Sequence, residues 1–164
     1  MFRCAPSWHK LHMPFAAARK MMTARLVDGL YTEAMVLADE ARSYFDQVGR
    51  VDREVLPPLQ RVSFSCESLK VTTRLMHVIA WLLTRKAIAA GEIVEHASNM
   101  DSRRLGQAAD TDPAVIAAMP GMAGHLIASS MDLYDRVARI DRDMVDVDSG
   151  SPALGLLRKL ELAF

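Results

Sequence analysis

The chain has 164 residues, and 51% of them are apolar, enough to build the core of one domain of ordinary size. Twenty basic and twenty acidic side chains cancel, which argues against a dedicated nucleic-acid binder. Strictly apolar runs such as Val78–Leu83 fall far short of the roughly 18 residues that span a bilayer, and two cysteines, Cys4 and Cys66, supply neither a metal quartet nor a disulfide framework. These features predict a cytoplasmic protein with reduced thiols and no membrane insertion.

Residues 1–27 carry Arg3, Lys10, Arg19, Lys20 and Arg25 and no acid, so the rest of the chain holds fifteen basic against twenty acidic residues. The leader lacks the apolar stretch of a secretory signal. Its composition fits an organelle transit peptide, or an upstream extension of a true start at Met21 or Met22. We favour the last reading and expect residues 1–22 to be poorly packed.

The first helix is predicted over 23–48. Val27, Leu30, Tyr31, Ala34, Leu37, Ala38, Ala41, Tyr44, Phe45 and Val48 recur at intervals of three and four, which places them on one helical stripe. Gly29 weakens its first turns, and Gly49 follows the last apolar position as a stop. Residues 50–62, with Pro57-Pro58, read as a linker, and Pro58 suits a helical first turn.

The second helix, 63–90, is the most apolar element. One seam is Leu69, Thr72, Met76, Ile79, Leu83 and Ala87, and a second is Val71, Leu75, Val78 and Leu82. Two seams are more than a surface helix needs. One belongs inside the bundle. The other, Val71, Leu75, Val78 and Leu82, is expected to pair with a second copy, because two-fold pairing is the commonest way to cover such a strip. The competing reading is that residues 113–119 or the C-terminal tail cover it. Arg74, His77, Trp81 and Arg85 share a further face. It reads either as a solvent edge, with the Arg85 stem over Trp81, or as a partner-binding strip, since Trp and Arg dominate interface energetics. A catalytic role for His77 is the weakest reading, because no carboxylate on that face is placed to orient it.

Gly91 ends this helix. Residues 92–100 could hold a short helical stretch, and 101–111 read as a loop. Asp112-Pro113 is an N-cap followed by proline at the first helical position. The third long helix is predicted over 120–144, with Leu126, Ile127, Met131, Tyr134, Val137, Ile140 and Met144 inward and His125 as a capping or surface residue. The tail, 145–164, pairs a polar Gly/Ser spacer with an amphipathic stripe that includes Leu157, Leu160 and Phe164. It either folds back on the bundle or docks in a partner's groove. The domain is thus expected to span 23–144 as an all-α, antiparallel three-helix bundle, dimeric, with flexible ends.

Sequence tests for chemistry are negative. No Glu-x-x-His pair, His-Glu-x-x-His helix, phosphate loop or Gly-x-Ser-x-Gly turn is present. Cys4, His9 and His12 read as a chance cluster. We therefore expect no catalytic residue, no metal and no cofactor. A helical-bundle enzyme or a purely structural dimer remain the alternatives to a binding role.

Three stretches resemble the RcdA family, the bacterial regulators of CtrA degradation. They are Glu67 to Ala87 with Gly91-Glu92-Ile93, Ser130 to Asp141, and Leu30-Tyr31 through Tyr44-Phe45. The words Thr72-Thr73-Arg74-Leu75-Met76 and Trp81-Leu82-Leu83 carry most of it. The resemblance, over roughly 23–144, implies a dimeric three-helix adaptor without enzymatic activity. Such an adaptor helps deliver CtrA and other cargo to the ClpXP protease, together with CpdR-like and PopA-like proteins.

Overall fold

The computed structural model describes residues 15–93 and 103–149, with side chains described over 23–93 and 103–144. It contains α1 (Phe15–Asp46), α2 (Val48–Glu54), α3 (Pro58–Ala89), α4 (Pro113–Ala117) and α5 (Gly121–Ser149). No strand occurs among the described residues, so the all-α expectation holds.

Several boundaries differ from the sequence reading, and the second long helix begins at Pro58, five residues before the expected 63. The first helix begins at Phe15 rather than 23, so part of the basic leader is helical. Residues 48–54 form a helix where a linker was expected. Gly49 does not stop the chain: a Cβ there would sit 3.0 Å from the Tyr44 carbonyl oxygen and 3.3 Å from the Phe64 ring, so this glycine serves a close approach. Gly91, with φ +77°, is the left-handed stop that was anticipated. The last helix continues to Ser149, through the first residues of the expected spacer. Asp112 caps α4 as read, accepting from the Ala114 N–H at 2.8 Å. Pro58 likewise opens α3.

The direction of the helices is the larger correction. Lys86 on α3 meets Asp28 on α1, and Phe64 packs with Tyr44 and Phe45, so α1 and α3 are antiparallel. Arg74 bonds Ser130 and Trp81 bonds Asp141, so α3 and α5 run parallel. A parallel pair needs a return crossover. Residues 104–112 supply it as an irregular strap rising between α3 and α5. The strap's climb from the level of Trp81 to that of Glu67 covers about 21 Å of helix. Seven residue steps span about 23 Å when nearly extended, so the strap has to be extended.

The core is built by Val27, Leu30, Ala34 and Leu37 of α1, Val71, Leu75, Val78 and Leu82 of α3, and Leu126, Ile127, Leu133 and Val137 of α5. At one end the buried Tyr44 hydroxyl donates to Asp52 at 2.7 Å, tying α2 to α1. Burial, reinforced by this hydrogen bond and the Asp52 charge, pushes the Tyr44 pKa well above its ordinary value of 10.0. A raised folded-state pKa favours the protonated native form, so its contribution is full below pH 10 and lost above it. Stability should therefore fall more steeply above pH 10 in wild type than in Tyr44→Phe. Equal slopes in pH-dependent urea titrations would remove Tyr44 from the account.

Candidate functional site

The face that carries Arg74, His77, Trp81 and Arg85 is occupied by the chain's own strap. Neither Arg74, 1% exposed, nor Trp81, 3% exposed, lies at a solvent edge or on an open partner strip. Arg74 donates from Nη2 to the Ala109 carbonyl at 2.6 Å and to Thr111 Oγ1 at 2.7 Å, and from Nη1 to Ser130 Oγ at 3.3 Å. Thr111 donates onward to Glu67 Oε2 at 2.5 Å. Lys70 completes the group, bonding Glu67 Oε1 at 2.8 Å and the Asp110 carbonyl at 3.1 Å. Burial lowers the Arg74 pKa while Glu67 opposes it, and guanidinium stays charged in proteins. Thr111 thus bridges Arg74 and Glu67 in a buried hydrogen-bonded network that fixes the upper strap.

The lower strap is held by α5. Trp81 Nε1 donates to Asp141 Oδ1 at 2.8 Å, and Asp141 Oδ2 accepts from Arg104 Nε at 2.8 Å and the Leu105 N–H at 3.4 Å. The Arg85 guanidinium lies 5.3 Å from the Trp81 ring centroid, a cation–π contact where the sequence reading placed the Arg85 stem. Tyr134 donates its hydroxyl to the Gly106 carbonyl at 2.7 Å. Gly106 rests on His77, and a Cβ there would lie 2.9 Å from the imidazole ring. His77 is thereby covered, with Nδ1 buried and unpartnered among the described residues. Gly106→Ala should force the strap off α3 and cost about 1–3 kcal/mol. An unchanged denaturation midpoint would contradict this packing.

The expected dimer seam is also internal. Val71, Val78 and Leu82 are 0% exposed and Leu75 is 4% exposed, because α1 and α5 both pack on that side of α3. The other seam is the one left open: Leu69, Met76 and Leu83 are 68%, 64% and 46% exposed. Leu59 and Val62 extend it toward α2, whose Val48 and Val51 are exposed, as is Val55 just after it. An open cavity of about 580 Å³ lies where α2 meets α3, lined by Arg53, Glu54, Arg61, Val62, Ser65, Cys66 and Leu69. Arg61 is already engaged there, donating to the Leu56 and Glu54 carbonyls at 2.8 and 2.7 Å. Among the described residues no group of three or more His, Cys, Asp or Glu is placed to hold a metal ion. Leu157, Leu160 and Phe164, like Cys4, His9 and His12, lie outside the described residues.

Sequence reasoning overlooked Glu67, Thr111, Ser130 and Asp141, all buried. A signal existed for two of them. Glu67 sits four residues before Val71 and Asp141 four after Val137, so both carboxylates fall on core-facing positions of apolar stripes. A charge in such a position requires a buried partner.

The arrangement is an all-helical bundle with a locked core and strap and an apolar outer face on α3. The family described as "Protein of unknown function (DUF1465)" matches residues 18–164. The crystal structure of RcdA from Caulobacter crescentus CB15 is similar at 33% sequence identity and a TM-score of 0.60, over 73% of this chain and 90% of that one. The chain belongs to this RcdA family. No curated protein matches it. No helix among the described residues is long and apolar enough to cross a membrane.

Proposed function

We propose that this protein is a dimeric, non-enzymatic adaptor of the cytoplasm that promotes ClpXP-dependent proteolysis of cell-cycle regulators such as CtrA, acting with CpdR-like and PopA-like proteins. The observation that carries the reading is the 33% identity to Caulobacter RcdA across 90% of that chain. The architecture is compatible with it. An adaptor needs a stable body and exposed contact surfaces, and the open α3 seam has the apolar character of an interaction site. Residues 152–164, which lie outside the described residues, carry Leu157, Leu160 and Phe164 as a second candidate docking element.

Crosslinking capture from the native cell, read by mass spectrometry, tests this. Full-length chain should enrich ClpX and a CpdR-like or PopA-like protein. A chain shortened by residues 152–164 should keep its melting temperature and lose cargo while retaining the other partners. Capture without any protease component would remove the adaptor reading.

A further inference from the structure

The open cavity at the α2–α3 corner has two unlike walls. One is aliphatic: Val62, Cys66 and Leu69 follow at steps of four and three on α3, so they share one stripe. Val62 and Leu69 are 60% and 68% exposed, apolar area left without a cover. The other wall is charged, with Arg53 and Glu54 at the end of α2 and Arg61 near the start of α3. The volume of about 580 Å³ lies within the usual range of ligand sites, about 300–1,000 Å³.

Arg61 is a fixed cation. Its Nε donates to the Leu56 carbonyl and its Nη2 to the Glu54 carbonyl. Two of the five guanidinium N–H groups thereby clamp the side chain to the turn between α2 and α3, and three remain for a ligand. The Arg53 and Glu54 side chains have no hydrogen bond or ion pair among the described residues, so their bonding capacity is also unspent.

We infer that this cavity binds the C-terminal end of a partner polypeptide, an aliphatic residue that carries a free α-carboxylate. The balance of charge selects the ligand. Two guanidinium groups against one carboxylate leave one positive charge in excess, which a monoanion cancels. A phosphate group, with about −1.5 to −2 charge, would leave a net negative site beside Glu54. A carboxylate also matches the planar fork that Arg61 holds ready. The terminal aliphatic side chain then covers Val62, Cys66 and Leu69. Glu54 decides between a peptide and a fatty acid, which share a carboxylate and an apolar stem. Its acceptor oxygens are satisfied by a peptide N–H and only repelled by a fatty acid, which has no donor to give. Capture of a carboxylate end is a recurrent mode of peptide recognition. The inference goes beyond the proposed function and rests on neither the dimer nor the protease partners.

Fluorescence anisotropy with the full-length chain tests it. The probe is an N-terminally labelled peptide, Gly-Ser-Gly-Ala-Val-Leu, as the free acid and as the C-terminal amide, with decanoate as a competitor. The free acid should bind saturably, and about tenfold or more tightly than the amide, because hydrogen bonds to a charged group are lost in the amide. Arg53→Glu reverses a charge at an exposed position and should keep the helical circular dichroism. It should weaken the free acid by about tenfold or more and leave the amide unchanged. Equal affinity for acid and amide would overturn the inference, as would an acid preference that survives Arg53→Glu. Displacement of the peptide by an equal or lower concentration of decanoate would overturn it too, and would make the cavity a fatty-acid site. So would the absence of saturation up to about 1 mM probe. None of these results bears on the capture of ClpX, which tests the adaptor reading separately.

Discussion

Replacing Arg74 with alanine is expected to lower unfolding free energy by about 3–5 kcal/mol, because three buried acceptors lose their donor at about 1–3 kcal/mol each. The guanidinium satisfies the Ala109 carbonyl, Thr111 and Ser130 at once and faces the Glu67 carboxylate through Thr111. Its removal leaves Glu67 buried with Lys70 and Thr111 alone. Arg74→Lys should recover little, because an ammonium cannot reproduce a planar fork. The loss should be local in character: hydrogen exchange should speed first across 104–112, while amides of mid-α1 stay protected. A loss under 1 kcal/mol by urea titration would mean that the buried network is not what holds the strap.

The second large effect separates the two seams of α3. Leu75→Lys puts an ammonium where 4% of the side chain is exposed, with no carboxylate placed to receive it, and the chain should fail to fold. Leu69→Lys puts the same charge where 68% is exposed. It should leave helical circular dichroism and the monomer's core intact while halving the mass seen by light scattering. The opposite pattern, a folded monomer from Leu75→Lys and an unaffected dimer from Leu69→Lys, would restore the interface expected from sequence.

Periodicity showed that α3 has two apolar stripes but not which one faces its neighbours. That choice depends on where α1 and α5 lie, and their placement depends on the direction of the return crossover. The sequence offered no indication that 104–112 is a strap, since it is polar and lacks regular periodicity. The parallel α3–α5 pairing followed from that segment and was equally hidden. For the same reason Arg74 and Trp81, types common at interfaces, were read as facing outward. Their partners are a backbone carbonyl at Ala109 and a carboxylate at Asp141, 35 and 60 residues away in the chain. Local signals fared better. The three long helices, the Asp112 cap, Pro58 at the start of α3 and the Gly91 stop were all legible, because each depends on residues within one or two turns.

The adaptor role is tested most directly by reconstituted proteolysis. Purified ClpXP and CtrA from the same organism, with the CpdR-like and PopA-like proteins present, should degrade CtrA several-fold faster when this chain is added. The chain itself should persist through the reaction. A CtrA half-life that is the same with and without it, at concentrations where all partners are shown to bind, would contradict the account.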